Sequence, residues 1–266
     1  MTSLRVGDVE VARYVTDPDL DIRLAPRPYL HPIRTLAGTV VTDELCHDHP
    51  WHLGASVTLA DVNGVNLWGG RTYVRDEGYV WRDDHGRIRH AGWLPAHAGF
   101  AERLDWCDGQ GAELATERRA VRALPATRGW QLSFSYSLTA PDTVPLVVGS
   151  PATNGRTGGA GYGGFFWRLP AGDAMAFTYS GDDPHGSTEP WIAVTVSNAY
   201  TLVFRGLAGH DRWFVRTGDY NGVCAALAFE KPVVIPRAAT LTRHLRVLVA
   251  DGRLSRTQIH TVLNGS

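Results

Sequence analysis

Lysine is almost missing from this chain: of its 26 basic residues only Lys231 is a lysine, a bias we read as genomic G+C content before any function. Net charge is missing as well, since Lys+Arg 26 against Asp+Glu 27 leaves a formal −1. No positive field is available to collect phosphate backbones or anionic lipid, so neither nucleic acid nor a membrane surface is an expected partner. No single-sign run forms a tail or basic arm. No segment approaches the roughly 18 to 20 uninterrupted apolar residues of a membrane-spanning helix. The first residues, MTSLRVGDVEVARY, lack the apolar h-region of a secretory signal, and a cytoplasmic location is the expectation. Cysteine is scarce: Cys46, Cys107 and Cys224 stand far apart in no CxxC pattern, as reduced thiols do. Cys46, beside His47, is expected to be a buried thiol before it is a ligand or nucleophile. GxSxG, HExxH and catalytic-cysteine signatures are absent, which weakens serine hydrolase, zincin and thiol protease readings.

What is present is period two. Val9, Val11 and Tyr14, then Thr39–Thr42, Ser56–Leu59, Gln131–Leu138 and Trp191–Thr195, alternate or run as short β-rich strings between turn signals. No amphipathic stretches of the length that parallel βαβ units need lie between them, so the fold is expected to be all-β and antiparallel, a barrel or a large two-sheet sandwich. The run ATERRAVRAL reads as strand, with Arg118, Arg119 and Arg122 exposed. One helix is expected, at the C-terminus, where Ser255 and Gln258 form a capping box for a stretch ending at Asn264-Gly265. The 29 glycines and 15 prolines are scattered, with no linker and no repeat, so residues 1–266 are read as a single domain.

Four clusters carry the chemistry. Seven of the 11 histidines fall in the first 97 residues, and three sit inside CHDHPWHLG at 46–54. Pro50 prevents this stretch from continuing as a ladder strand, so its imidazoles project from a loop. For His49 and His52 three readings stay open: backbone bonding within a polar loop, acid/base or direct ligand contact, or a divalent metal held with a distant third ligand. In ADVNGVNLWGG, Asn63-Gly64 is a hairpin signal. Asp61, Asn63 and Asn66 there offer donors and acceptors, and Trp68 a flat apolar face, a combination that suits polyhydroxylated rings. The glycine-rich NGRTGGAGYGGFFWR has no GK[ST] and runs into a strand, so it is no phosphate loop; it is expected to place Tyr162, Trp167 and Arg168 at a pocket wall. Arg168 is either paired inside the fold or reads a ligand. In GDDPHGSTEPW, His185 lies near Asp182, Asp183 and Glu189, the minimal acid/base composition, although carboxylates in turns commonly only cap them.

At DHPWHLG, DVNGVNLWGG, AGYGGFFWR and PHGSTEPW, from about Arg27 to Leu254, the chain resembles the bacterial family labelled methane oxygenase PmoA-like. Asp48, His49, Pro50 and His52 match that family's DHPHH-like motif. Trp51 replaces the first of its adjacent histidines, which leaves His49 and His52 as the positions that carry over. The resemblance implies a supersandwich like that of galactose mutarotases. The ending PVVIPRAATLTRHLRVLVADG is similar to the closing strands of that fold.

The resemblance also implies a carbohydrate ligand. The resulting expectation is an enzyme doing acid/base chemistry on a pyranose or oxidised sugar: epimerisation, lyase-type cleavage or hydrolysis. His49, His52 and His185 would move protons, Asp61, Asn63, Asn66 and Arg168 would hold oxygens, and Trp68, Tyr162 and Trp167 would stack. The alternatives are a non-catalytic sugar-binding or sensing module and a His-ligated metalloenzyme. Nothing fixes a cofactor beyond that metal, and exposed edge strands would suit a homodimer.

Overall fold

The computed structural model describes residues 2–264. Strict alternation does what period two predicts. Along Gly129–Thr139 the residues Trp130, Leu132, Phe134, Tyr136 and Leu138 are buried, while the glutamine and serines between them turn outward. This strand lies within an eight-stranded antiparallel sheet ordered 174–178, 191–196, 200–205, 240–251, 129–139, 113–126, 100–107 and 87–94. Facing it is a seven-stranded antiparallel sheet ordered 2–6, 9–15, 29–33, 55–58, 164–168, 221–226 and 212–217. Side chains from both inner faces form one core: Phe134 meets Phe165 at 4.7 Å between ring centroids, and Trp167 meets Phe204 at 5.5 Å. The protein is thus an all-β, two-sheet sandwich. The one α-helix among the described residues, Arg256–Asn264, opens on the expected capping box: Ser255 N–H donates to Gln258 Oε1 at 2.8 Å and Gln258 N–H to Ser255 Oγ at 3.3 Å. Gly265 lies outside the described residues.

The central strands of the seven-stranded sheet do not alternate. Ala55–Thr58, Gly164–Arg168 and Asn221–Ala226 are buried at every position, because loops cover the outer face as the second sheet covers the inner one. On that outer side Trp68, Phe166, Phe214, Cys224 and Phe229 form a separate apolar cluster, the floor of the candidate site.

Two expectations are corrected. Thr39–Thr42 is not a strand. It makes a single bridge, Arg34 with Val40, after which the Thr42 hydroxyl accepts from Ile33 N–H at 2.9 Å and replaces a ladder partner. ATERRAVRAL is strand, within Glu113–Ala126, but Arg119 is not exposed, because it shares the inward parity of Glu117 and Val121. Its guanidinium bonds Glu117 at 2.7 and 3.0 Å and the Tyr14 hydroxyl at 2.8 Å. Tyr14 also donates to Glu102, which accepts from His90 Nδ1 at 2.6 Å. This buried network ties the strand Val9–Val15 of one sheet to Phe100–Cys107 and Glu113–Ala126 of the other.

Candidate functional site

The histidine loop runs from Asp43 to Gly54, immediately before the strand Ala55–Thr58 of the seven-stranded sheet. Its neck is pinned by three backbone bonds: Asp43 N–H to Arg168 O at 3.0 Å, Arg168 N–H to Gly54 O at 2.8 Å, and Gly54 N–H to Asp43 O at 3.0 Å. Gly54 has φ +42°, and a Cβ there would lie 2.2 Å from Leu30 O, so glycine is required where the loop rejoins the strand. Within the loop two turns, His49 N–H to Cys46 O and His52 N–H to His49 O, stack the rings of His49 and His52 nearly parallel, 4.6 Å apart. Arg27, wholly buried, ties this loop to the Trp68 segment by donating to Trp51 O at 2.9 Å and Trp68 O at 3.3 Å.

The two histidines hold different protonation patterns. His49 Nδ1 lies 2.8 Å from Asp48 Oδ2. An ionised carboxylate only accepts, so Nδ1 carries the proton and a neutral His49 keeps its Nε2 lone pair free. Asp48 is clamped in turn by Arg168 Nη2, 3.0 Å from both carboxylate oxygens. Burial alone would raise the Asp48 carboxyl; the bonds from His49 and Arg168 outweigh it and hold it below the usual carboxylate range. His52 is 1% exposed. Burial, with His49, Arg168 and Arg27 nearby, pushes its imidazole well below the ordinary histidine value. Arg168 Nη1 lies 3.3 Å from His52 Nδ1, and an arginine can only donate, so the neutral ring carries its proton on Nε2. The site therefore pairs an imidazole oriented by a carboxylate, His49, with a buried one, His52, in which burial disfavours the charged form.

Above this floor opens a cleft of about 440 Å³. His49 and His52 form its base together with Trp68, Tyr162, Phe214 and Tyr220. Tyr79, from the hairpin joining Thr72–Val74 to Gly78–Val80, closes one wall through a 2.9 Å bond between its hydroxyl and that of Tyr162. Trp51 and the half-exposed Trp81 stand at the rim with Arg71, Arg156, Arg216 and Asp219. The glycines after Trp68 have a clear reason: at Gly70, φ +72°, a Cβ would lie 2.6 Å from the Trp51 ring, and at Gly69 2.5 Å from the Trp51 Cβ.

Of the residues singled out in the sequence, His49, His52, Trp68 and Tyr162 line this cleft, and Arg168 lies directly behind it. Trp167 does not. Neighbouring residues on a strand face opposite ways, so with Phe166 and Arg168 outward Trp167 enters the core, its indole donating to Val41 O at 2.8 Å. Asp61, Asn63 and Asn66 are engaged in local structure. Asn63 and Gly64 both have positive φ, as a tight hairpin requires. Asn63 bonds Pro145 O and Val147 N–H, and Asp61 accepts from Gly64 N–H and Asn154. Buried Asn66 accepts from Trp68 and Gly69 N–H and donates to Thr72. His185 sits behind Phe214, accepting from Val215 N–H at 3.2 Å with Arg216 Nη1 at 3.2 Å, and burial and Arg216 push it below its ordinary value. It backs the cleft wall and stays off the floor. Among the described residues no group of three or more His, Cys, Asp or Glu is arranged to hold a metal ion.

Sequence reasoning passed over Arg71, Tyr79, Trp81, Arg156, Arg216 and Tyr220, and gave Asp48 no role. Tyr79 and Trp81 flank a hairpin, and Arg216 and Tyr220 enclose the turn of another, VRTGDYNG. An aromatic and a cation around a glycine turn was the available signal.

A family model described as a family of unknown function (DUF6807) matches residues 1–264, and that description carries no oxygenase label. No curated protein matches the chain. Among solved structures it is similar to an alpha-galactosidase from Lactobacillus brevis, at 10% identity and TM-score 0.42, over 84% of this chain and 35% of that one. It is also similar to the heparan sulfate lyase HepC from Pedobacter heparinus, at 12% identity and TM-score 0.31, over 64% of this chain and 22% of that one. The chain thus spans about a third or less of the length of either.

Proposed function

We propose that this chain, which belongs to the DUF6807 family of unknown function, is a carbohydrate-acting enzyme that uses His49 as a general base on a pyranose or oxidised sugar. The observation that carries the reading is the Arg168–Asp48–His49 relay at the foot of an aromatic cleft. A carboxylate that fixes the tautomer of an imidazole leaves the other ring nitrogen ready to take a proton, the arrangement that general acid/base catalysis needs. Buried and neutral, His52 offers its Nε2 hydrogen as a donor to a ligand oxygen. Trp51, Trp68, Trp81, Tyr79 and Tyr220 supply flat faces for the C–H side of sugar rings, and the cleft is of ordinary small-molecule size. Epimerisation, lyase-type cleavage and hydrolysis all begin from this disposition.

The test is a thermal-shift screen against monosaccharides, sugar acids and 3-keto sugars, followed by turnover assays on each ligand that stabilises the protein. His49→Gln is expected to lower kcat by about 10²- to 10⁴-fold while the dissociation constant stays within a few-fold. Full turnover in that variant overturns the role of base. A sugar that the unmodified protein binds and never turns over makes the cleft a binding module.

A further inference from the structure

We propose that the ligand of this cleft is an acidic sugar, one bearing a carboxylate or sulfate group, whose charge is met by Arg71, Arg156 and Arg216. The inference rests on the carbohydrate reading of the cleft and goes beyond it in naming the substrate class.

The chain as a whole is close to neutral, and many of its arginines are spent on acids: Arg23 on Asp21, Arg243 on Asp211, Arg168 on Asp48 and Arg212 on Glu230. The three at the cleft are different. Among the described residues none of them has a carboxylate within ion-pair distance. Each is laid against an aromatic ring: Arg156 4.8 Å over Tyr79, Arg216 4.3 Å over Phe214 and Arg71 6.0 Å over Trp81. Stacking of this kind fixes a guanidinium plane without consuming its N–H donors. Arg156 gives one Nη1 hydrogen to the Tyr79 hydroxyl, Arg216 uses Nη1 on Val215 O and the His185 ring, and Arg71 makes no side-chain hydrogen bond among the described residues. Most of the fifteen donors that three guanidiniums carry therefore remain for a ligand, in a fork geometry that matches carboxylate and sulfate oxygens.

Opposing charge is thin. Among the described residues Asp219 is the one carboxylate lining the cleft without a cation, since Asp48 is neutralised by Arg168. Beneath the floor lies a further cation, Arg27, which is wholly buried and held by carbonyl oxygens and Ser56 Oγ in place of a carboxylate. Three uncommitted guanidiniums against one acid, over a buried positive charge and between low-dielectric aromatic walls, make a field that attracts an anion and gains nothing from a neutral sugar.

The experiment is calorimetric titration with matched pairs: glucuronate against glucose, galacturonate against galactose, a sulfated hexose against its parent, and inorganic sulfate alone. The expected result is at least tenfold tighter binding of the acidic member, weakening with added salt. The double variant Arg156→Gln/Arg216→Gln should abolish that preference while neutral-sugar affinity stays within about threefold. Arg71→Gln, at an exposed position, checks the same loss without risk to folding, which the melting temperature monitors. Whether uronate or sulfated sugar binds tighter identifies the source of the charge, and either result supports the proposal. Equal binding of acidic and neutral members overturns it and leaves the carbohydrate reading standing. Inorganic sulfate binding as tightly as any sugar, or no member of the panel binding at all, overturns both.

Discussion

In the proposed chemistry Asp48 acts only through other residues. Its carboxylate sets which nitrogen of His49 is protonated, and Arg168 sets where that carboxylate lies. Asp48→Asn substitutes an amide whose N–H₂ can face His49 Nδ1, which would move the imidazole proton to Nε2 and remove the free lone pair. It also leaves the Arg168 guanidinium, whose Nε is already buried without a partner among the described residues, facing a neutral amide oxygen in place of a carboxylate. Groups that act as a unit are non-additive. Asp48→Asn is therefore expected to lower kcat on the sugar that proves to be turned over by about 10²- to 10⁴-fold, the span of a general-base contribution. The double variant with His49→Gln should be little worse than either single one. Steady-state kinetics on the three proteins decide it, and losses that multiply would show Asp48 and His49 acting separately.

Among the elements, the one that shapes the site is the Trp51 loop seated on the Gly69-Gly70 shelf. Gly70→Ala demands both a left-handed conformation of an L-residue and room now filled by the indole 2.6 Å away. The cost is expected to be about 2 kcal/mol or more, read as a fall in the urea midpoint with unchanged slope, together with weaker ligand binding as Trp51 is displaced. The same shelf shows what was legible in advance. Gln131–Leu138 and Trp191–Thr195 could be read as strands because burial on one or both faces writes itself into local sequence. The histidine loop was legible from residue density and Pro50. Trp167 and Arg119 were misplaced although the same period-two rule decides both, since each differs in facing from its immediate neighbours. Arg216 and Tyr220 were legible only as a cation and an aromatic around a glycine turn, not as parts of this cleft. They reach the cleft only because Arg212–Thr217 pairs with Asn221–Ala226, and that strand with Gly164–Arg168, a sheet order that no local pattern encodes.

For the molecule as a whole, the sandwich holds several histidines neutral at once. Burial lowers His31, His52 and His185 below the ordinary value, in His52 strongly, each against or beside different partners. In the unfolded chain all three titrate near 6.5. Between pH 7 and 5.5 the unfolded state then takes up protons that the folded state refuses, so by linkage folding stability falls as pH falls, with full stability retained above that range. One proton per site corresponds to about 1.4 kcal/mol per pH unit, so three sites set a ceiling of about 4, reduced where solvent reaches His31 and His185. Asp211, pushed up by burial, acts in the opposite sense, and the window stops at 5.5 to stay clear of the carboxylates. Urea denaturation at half-unit steps from pH 7 to 5.5 is expected to give a declining stability, and His52→Gln a shallower decline, because the most deeply buried of the three no longer titrates. A pH-independent stability in the unmodified protein would mean that these imidazoles take up protons as readily folded as unfolded, and would remove the ground for proposing His52 as a neutral donor to a ligand.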